Sequence, residues 1–451
     1  MSALHIKSVH TVLSTAVALE GHTIEVAGWL LSARHSKKVS FLVLSDGSST
    51  QSLQVVVDDE VRSQFSEVLK TTTGASIRCR GVVVASQGQG QSHELRAEHF
   101  DWVGLVEDPL TYPLPPKELS AEHVRSVPHL RARLPHQAAI ARLRSVLSEA
   151  VREYFASHGF VWVATPILSS SDAEGAGARF RVTTTAPGET DADGDFFAKP
   201  TYLTVSGQLE GEALCAGLSR VYTFGPTFRA EQSHTSRHLA EFWMIEPELA
   251  FASLSDLVAL SDGLLRHCIC AALEKLPQEM ALFEKLGGRM VSDWETLSQT
   301  PLEVMTYTQA IETLKPHFEG IEWGMDLHSE HEKWLVAHVQ KPLALTHYPS
   351  KIKSFYMKEA ADHTVEALDV LVPDMGELIG GSVREHDHQA LTQKMKQLGM
   401  PAEEYSQYLD LRRYGSVPHG GFGMGFERLV AYLSSAASVK DVIAYPKVAG
   451  G

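Results

Sequence analysis

Two short apolar and aromatic runs, VYTFG and FWMIEPELAF, flank a polar, cationic segment within residues 222–251. Runs of this composition read as strands, so the stretch predicts a hairpin. Its connecting loop then holds Arg229, Glu231, Arg237 and His238 close together. Such a hairpin is either a surface element with solvated charges or a device that presents cations to a polyanion. Arginine suits the second use, because its planar fork pairs two-fold with phosphate oxygens. The rest of the chain has to decide between them.

At 451 residues the chain has room for two to three domains. Residues 1–105 carry short runs rich in Val, Ile and Phe, such as TIEVAGWLL, VSFLVLSDG and SIRCRGVVVAS. Their spacing of about ten residues suggests a small closed β-barrel. Asp46-Gly47 is a hairpin signal between two of them. Five strands with one short helical stretch match an OB-type barrel, a fold whose face binds single-stranded nucleic acid. Arg34, Lys37, Lys38 and Phe41 would supply cations and a ring for base stacking. The alternative is that Phe41 is core and the lysines are merely solvated.

Residues 106–135 are proline-rich and read as a linker or hinge. Residues 136–451 mix helical and strand-like runs, which predicts an α+β domain built on a largely antiparallel sheet with flanking helices. Ile140, Leu143, Leu147, Val151 and Tyr154 repeat at helical spacing, and Gly159 stops that helix. VWVATPIL, PLALTHYP, KSFYMKEA and HTVEALDVLVP read as strands, and residues 253–275, 325–340 and 426–435 as helices.

Several function classes are disfavoured. A net charge of -15 argues against general adhesion to nucleic acid or anionic membrane, although a local basic patch remains compatible with it. Cys79, Cys215, Cys268 and Cys270 form no disulfide framework and no zinc pattern. No apolar run approaches the roughly 20 residues of a membrane span, and the N-terminus lacks a signal-type apolar core. These features predict a cytoplasmic protein. The glycine-rich GFGMG at 421–425 has the wrong spacing for a dinucleotide fingerprint and lacks a βαβ context. Its glycines instead allow close backbone approach to a ligand, with Arg428 reaching a phosphate.

Taken together, VWVATPIL, FRAE…RHLAEFWM and GFGMGFERL resemble motifs 1, 2 and 3 of the class II aminoacyl-tRNA synthetases. With an N-terminal OB-type barrel, the chain is similar to the aspartate–asparagine–lysine branch. SDAEGAG, LTVSGQLEGE, GELIGGSVRE and YLDLRRYGSVPHGGFGMGFERL are similar to the bacterial-type asparaginyl pattern within it. The resemblance implies activation of L-asparagine by ATP and Mg²⁺, transfer to tRNA(Asn), and a homodimer whose seam contains Pro166. It implies that Arg229 holds the ATP α-phosphate and Arg428 the γ-phosphate, as the two catalytic cations. His238 would lie near the terminal phosphates, Phe242 would stack on adenine, and Glu231 would meet its amino edge. Asp369 and Glu377 would hold Mg²⁺, with Gly380 standing where related enzymes carry a metal-binding Ser. Arg34 and Phe41 would meet the anticodon.

The amino-acid subsite is implied in the same way. Glu174 would meet the α-amino group, with Gln208 lining the same pocket. Arg384 would donate to the side-chain carbonyl. A site for asparagine also needs an acceptor for the amide NH₂. Aspartyl enzymes resemble QSPQLYKQ where this chain has SGQLEGE, so Gly211 replaces a lysine and Glu212 stands beside it. Glu212 is thus expected to accept from the amide and to repel aspartate. An aspartyl-type or non-discriminating enzyme is the rival within the class, and a non-catalytic RNA-binding paralogue the rival outside it.

Overall fold

The computed structural model describes residues 6–88, 90–170, 179–185, 194–233 and 235–450. The chain divides into two compact units, residues 1–143 and 144–451.

In the first unit five strands close into a barrel in the order Thr23–His35, Val39–Ser45, Leu53–Asp58, His93–Gly104, Ser76–Ala85. Alternation makes this possible. Leu42, Leu44, Val55, Val57, Ile77, Cys79, Leu95 and Ala97 point inward and are buried, while the residues between them face out. Phe41 lies outside that core, which removes the reading of it as a core residue. It pairs directly across from Arg34, so an exposed ring and an exposed cation share one outer face. The short helical stretch expected among the barrel strands, VRSQFSEVLK, is not one helix. It splits into Asp59–Gln64 and a 3₁₀ turn, Ser66–Lys70, separated at Phe65. The proline-rich segment also holds a short helix, Ala121–Ser126, capped by the Ser120 hydroxyl.

The second unit is built on an eight-stranded sheet. Its order is Glu303–Thr306, Leu343–Pro349, Thr364–Val372, Gly376–Arg384, His419–Gly425, Glu241–Ala250, Arg220–Phe228, Val161–Trp162. The interior pairings are antiparallel and the two edge pairings are parallel. Helices including Pro135–Ser157, Leu254–Lys275 and Phe426–Ser434 complete the α+β architecture. The expected hairpin is present, with Arg220–Phe228 paired along its length to Glu241–Ala250.

Three local expectations fail. VWVATPIL contributes only Val161–Trp162 and Leu168–Ser169, because its middle turns between two sheets. KSFYMKEA is not a strand. It packs Phe355, Tyr356 and Met357 into the core through turns, and its backbone meets the sheet at isolated bridges. The helix expected over 325–340 starts at Ser329. GFGMG forms most of a central strand, His419–Gly425. Gly421 is needed there because a Cβ would meet the Pro247 carbonyl and the Glu248 carboxylate of the neighbouring strand.

Candidate active site

One side of the central sheet floors a cavity of about 340 Å³. Strand alternation arranges its floor: Phe242, Met244, Glu246 and Glu248 are spaced by two on Glu241–Ala250 and all line it. Leu378, Gly380, Gly381 and Arg384 come from Gly376–Arg384, and Phe422 and Gly423 from the glycine-rich strand. Cross-strand register sets Asp369, Gly380 and Gly423 in one row.

At one end of the cavity lie cations. The Arg229 guanidinium sits 5.4 Å from the centroid of the Phe242 ring. Arg428, in the first turn of Phe426–Ser434, donates to the Glu377 carbonyl at 3.4 Å and lies 3.7 Å from its carboxylate. His238 Nε2 is 3.5 Å from Glu231. Partial burial, together with Arg428, Arg229 and Arg237, pulls the His238 imidazole below its usual value against the pull of Glu231. Arg237 is tethered to Glu332 at 3.3 Å and to the Ser329 hydroxyl at 2.8 Å. Glu332 also accepts from the backbone N–H of Glu377 at 3.2 Å, so one carboxylate ties the hairpin loop to the neighbouring strand.

The acidic pair occupies the middle. A Cβ added at Gly380 would stand 3.3 Å from Glu377 Oε1 and 3.5 Å from Asp369 Oδ1, so the two carboxylates flank a gap that glycine leaves open. Lys353 donates to Asp369 at 2.6 Å, and its ammonium lies 3.9 Å from the centre of the Tyr348 ring. Burial works against the Lys353 charge, but Asp369 more than offsets it and holds the ammonium above its usual value. Two carboxylates around an open gap, beside cations of a kind that suits phosphates, suit a hard divalent ion shared with a polyphosphate.

The far end is a buried polar network. Glu246 accepts from the Gly207 N–H at 3.0 Å, from Thr223 at 3.3 Å and from the Ser206 hydroxyl, which fixes the start of the helix Gln208–Leu218. Arg384 donates to Glu248 at 2.6 and 3.3 Å and to Ser382 at 2.9 Å. Glu212 receives Arg412 at 2.7 Å, His419 at 2.9 Å, Tyr408 at 3.0 Å and Gln208 at 3.0 Å. Burial alone would push its carboxyl up. Arg412, His419 and Arg384 instead hold it well below the usual carboxylate range.

The sequence-predicted residues therefore separate into groups. Arg229, Glu231, His238, Phe242, Gln208, Arg384, Asp369, Glu377 and Arg428 line one cavity. Glu212, expected to meet the ligand amide, does not line it. It is 1% exposed and its oxygens are saturated by four donors behind Gln208. Glu174 falls outside the described residues. Arg34 and Phe41 belong to the barrel, and Pro166 is exposed near the edge strand Val161–Trp162. Sequence reasoning missed Glu246, Glu248, Lys353 and Arg412. The signal for the first two was visible: carboxylates two apart in an otherwise apolar strand have to face something polar.

Comparisons with known proteins agree with this geometry. Residues 121–449 match the family described as tRNA synthetases class II (D, K and N), and residues 24–103 match an OB-fold nucleic acid binding domain. The chain is 48% identical over 456 residues to an asparagine--tRNA ligase of Idiomarina loihiensis, covering 98% of each protein. It is 47% identical over 460 residues to the corresponding ligase of Xanthomonas campestris, covering 98% of this chain and 99% of that one. In structure it is similar to asparaginyl-tRNA synthetase from Pyrococcus horikoshii complexed with asparaginyl-adenylate. That pair has a TM-score of 0.89 and 32% identity over 99% of both chains. The asparaginyl-adenylate complex of the Entamoeba histolytica synthetase aligns with a TM-score of 0.84 at 27% identity, over 96% of this chain and 97% of that one.

Proposed function

The chain belongs to the class II tRNA synthetases of the D, K and N type, and we infer from that premise that it attaches L-asparagine to tRNA(Asn) with ATP. The observation that carries the reading is one cavity holding phosphate-type cations at one end and a charge-balanced polar subsite at the other. In the first step an asparagine carboxylate oxygen attacks the α-phosphorus of ATP, the bond to the β-phosphate bridge breaks, and diphosphate leaves. In the second, a hydroxyl of the terminal tRNA ribose attacks the carbonyl carbon, and AMP leaves with the electron pair. No side-chain nucleophile is required.

Arg229 would hold the α-phosphate oxygens, where charge builds in the first step, and Arg428 the terminal phosphate; their lining of one cavity supports this. Phe242 offers a ring to the adenine, Glu231 its amino edge, and His238 the terminal phosphates. Asp369 and Glu377 would hold Mg²⁺, which neutralises polyphosphate charge and orients it for in-line displacement. Glu174 is assigned to the α-amino group by resemblance alone. Gln208 and Arg384, which line the same cavity, would read the asparagine side chain. Behind them Arg384 and Arg412 are matched by Glu212 and Glu248, so the subsite has no spare guanidinium for an aspartate carboxylate. Glu212 acts here by orienting Gln208, not by touching the substrate.

Amino-acid-dependent exchange between ATP and diphosphate tests this reading. Asparagine should support exchange far better than aspartate. Equal or preferred use of aspartate would overturn the assignment of substrate, and tRNA binding without any adenylate would favour the non-catalytic alternative.

We further assign residues 1–105 to the anticodon-binding barrel, 106–135 to the connection and 136–451 to the catalytic domain. With Arg34, Phe41 would stack on an anticodon base. Phe41→Ala should weaken tRNA binding about 10-fold, on the scale of one base–aromatic stack. Adenylate formation without tRNA should stay unchanged, and a matching fall there would remove the assignment.

A homodimer is supported by the edge of the catalytic sheet. Val161, Trp162, Ile167 and Leu168 are all more than 40% exposed, and Pro166 is exposed among them. An apolar strip of this kind on a strand edge suits a second copy. Trp162→Glu should halve the mass seen by sedimentation and abolish most charging. An unchanged mass would place the seam elsewhere. Cytoplasmic location fits the four free cysteines. Among the described residues no helix is long and apolar enough to cross a membrane.

A further inference from the structure

A second cavity, of about 1020 Å³, adjoins the first and shares with it Arg237, Arg428 and Val439. Two cations, Arg237 and the Arg428 assigned above to the terminal phosphate, therefore line both spaces. We propose that this second cavity is an anion site that takes inorganic diphosphate as it leaves the active site. The inference rests on the reading of the first cavity as the ATP site. After the first step the adenylate stays in place for tRNA, so diphosphate has to depart on the side of Arg428 that the adenylate does not fill. The second cavity, lined by the same Arg428 and Arg237, offers such a space.

Its walls carry Arg237, Arg289, Lys333 and Arg428 against the carboxylates of Asp293 and Asp374, a cationic excess that suits an anion. Arg289 is held rigid, with its guanidinium 5.3 Å from the centre of the Trp294 ring, which packs edge-on against Tyr432 at 4.8 Å. The Arg289 side chain is only 18% exposed, yet its partner is the 86% exposed carboxylate of Asp374, on the hairpin tip between Thr364–Val372 and Gly376–Arg384. An exposed carboxylate on a preorganised guanidinium marks an anion position whose present occupant is exchangeable. Tyr432 also lines the cavity, is 5% exposed, and its hydroxyl has no hydrogen-bond partner among the described residues. A phosphate oxygen would satisfy it. Lys333 adds an exposed ammonium to the same wall.

Calorimetry with inorganic diphosphate tests the proposal on the full-length enzyme whose active site is filled with a non-reactive asparaginyl-adenylate analogue. One diphosphate should bind. Lys333→Gln, a surface change that leaves folding intact, should weaken it several-fold, and Arg289→Gln about 10-fold. Asp374→Asn should tighten it, because it removes the competing carboxylate; a merely structural hairpin tip predicts no such gain. In parallel the Michaelis constant for diphosphate in the exchange reaction should follow the same order. Those for ATP and asparagine in charging should move less than two-fold. Absence of binding to the analogue-filled enzyme, or equal binding by all three variants, overturns the proposal. Loss of asparagine-dependent exchange by the unmodified enzyme would instead overturn the reading of the first cavity.

Discussion

Arg229→Ala is expected to lower the rate of asparaginyl-adenylate formation about 10²- to 10³-fold, the cost of one lost charge-stabilising donor. The side chain is preorganised: its guanidinium rests near the Phe242 ring, and its backbone N–H donates to Ala240 at 3.0 Å to close the hairpin. Charge on the α-phosphate oxygens grows between ground state and transition state, so the loss should fall mainly on kcat and only modestly on the ATP Michaelis constant. Arg229→Lys should recover little, because an ammonium cannot reproduce the two-fold fork. Single-turnover measurement of adenylate formation checks this. If the loss appeared only in ATP affinity, Arg229 would be a ground-state binding residue and no more.

Arg412→Leu is expected to destabilise the catalytic unit by about 3–5 kcal/mol, because it leaves the Glu212 charge buried without its closest cation. Chemical unfolding followed by tryptophan fluorescence measures it. Leucine keeps much of the volume, so a loss below about 1 kcal/mol would mean the network rearranges at little cost. The same network gives stability a pH dependence. The folded-state value of Glu212 lies below its ordinary value of 4.5. Its contribution is therefore present above the unfolded value and is lost as pH falls through the lower folded one. In the wild type that loss belongs to strongly acid conditions, and Arg412→Leu should flatten the dependence there.

The hairpin, the barrel and the long helix were legible in the sequence because each carries a strong local period. That Arg229, Phe242 and Arg428 gather around one cavity was legible for a related reason: they sit in segments whose composition already marks them. The buried polar network at Glu212 was not. Glu212 lies in a conspicuous stretch, yet only the fold reveals that Arg412 and His419, about 200 residues later, saturate it. Lys353 was hidden in a segment whose aromatic residues imitate a strand, although they are buried through turns. GFGMG gave no strand signal because glycine depresses strand propensity. It is held as a strand by pairing to both neighbours, where the close approach of Pro247 and Glu248 requires Gly421, and that approach is tertiary and leaves no local trace.

The floor of the cavity has a metric consequence. Successive inward positions on an extended strand lie about 6.6 Å apart, so Phe242 to Glu248 spans about 20 Å. That segment works as a ruler, setting the separation between the Phe242 ring and Glu248, the partner of Arg384, in a single piece of backbone. A ruler tolerates repainting but not a change in its number of divisions. One residue inserted between 242 and 248 would turn every mark beyond it to the opposite face. Natural variation in this segment should therefore run to substitutions and avoid insertions and deletions.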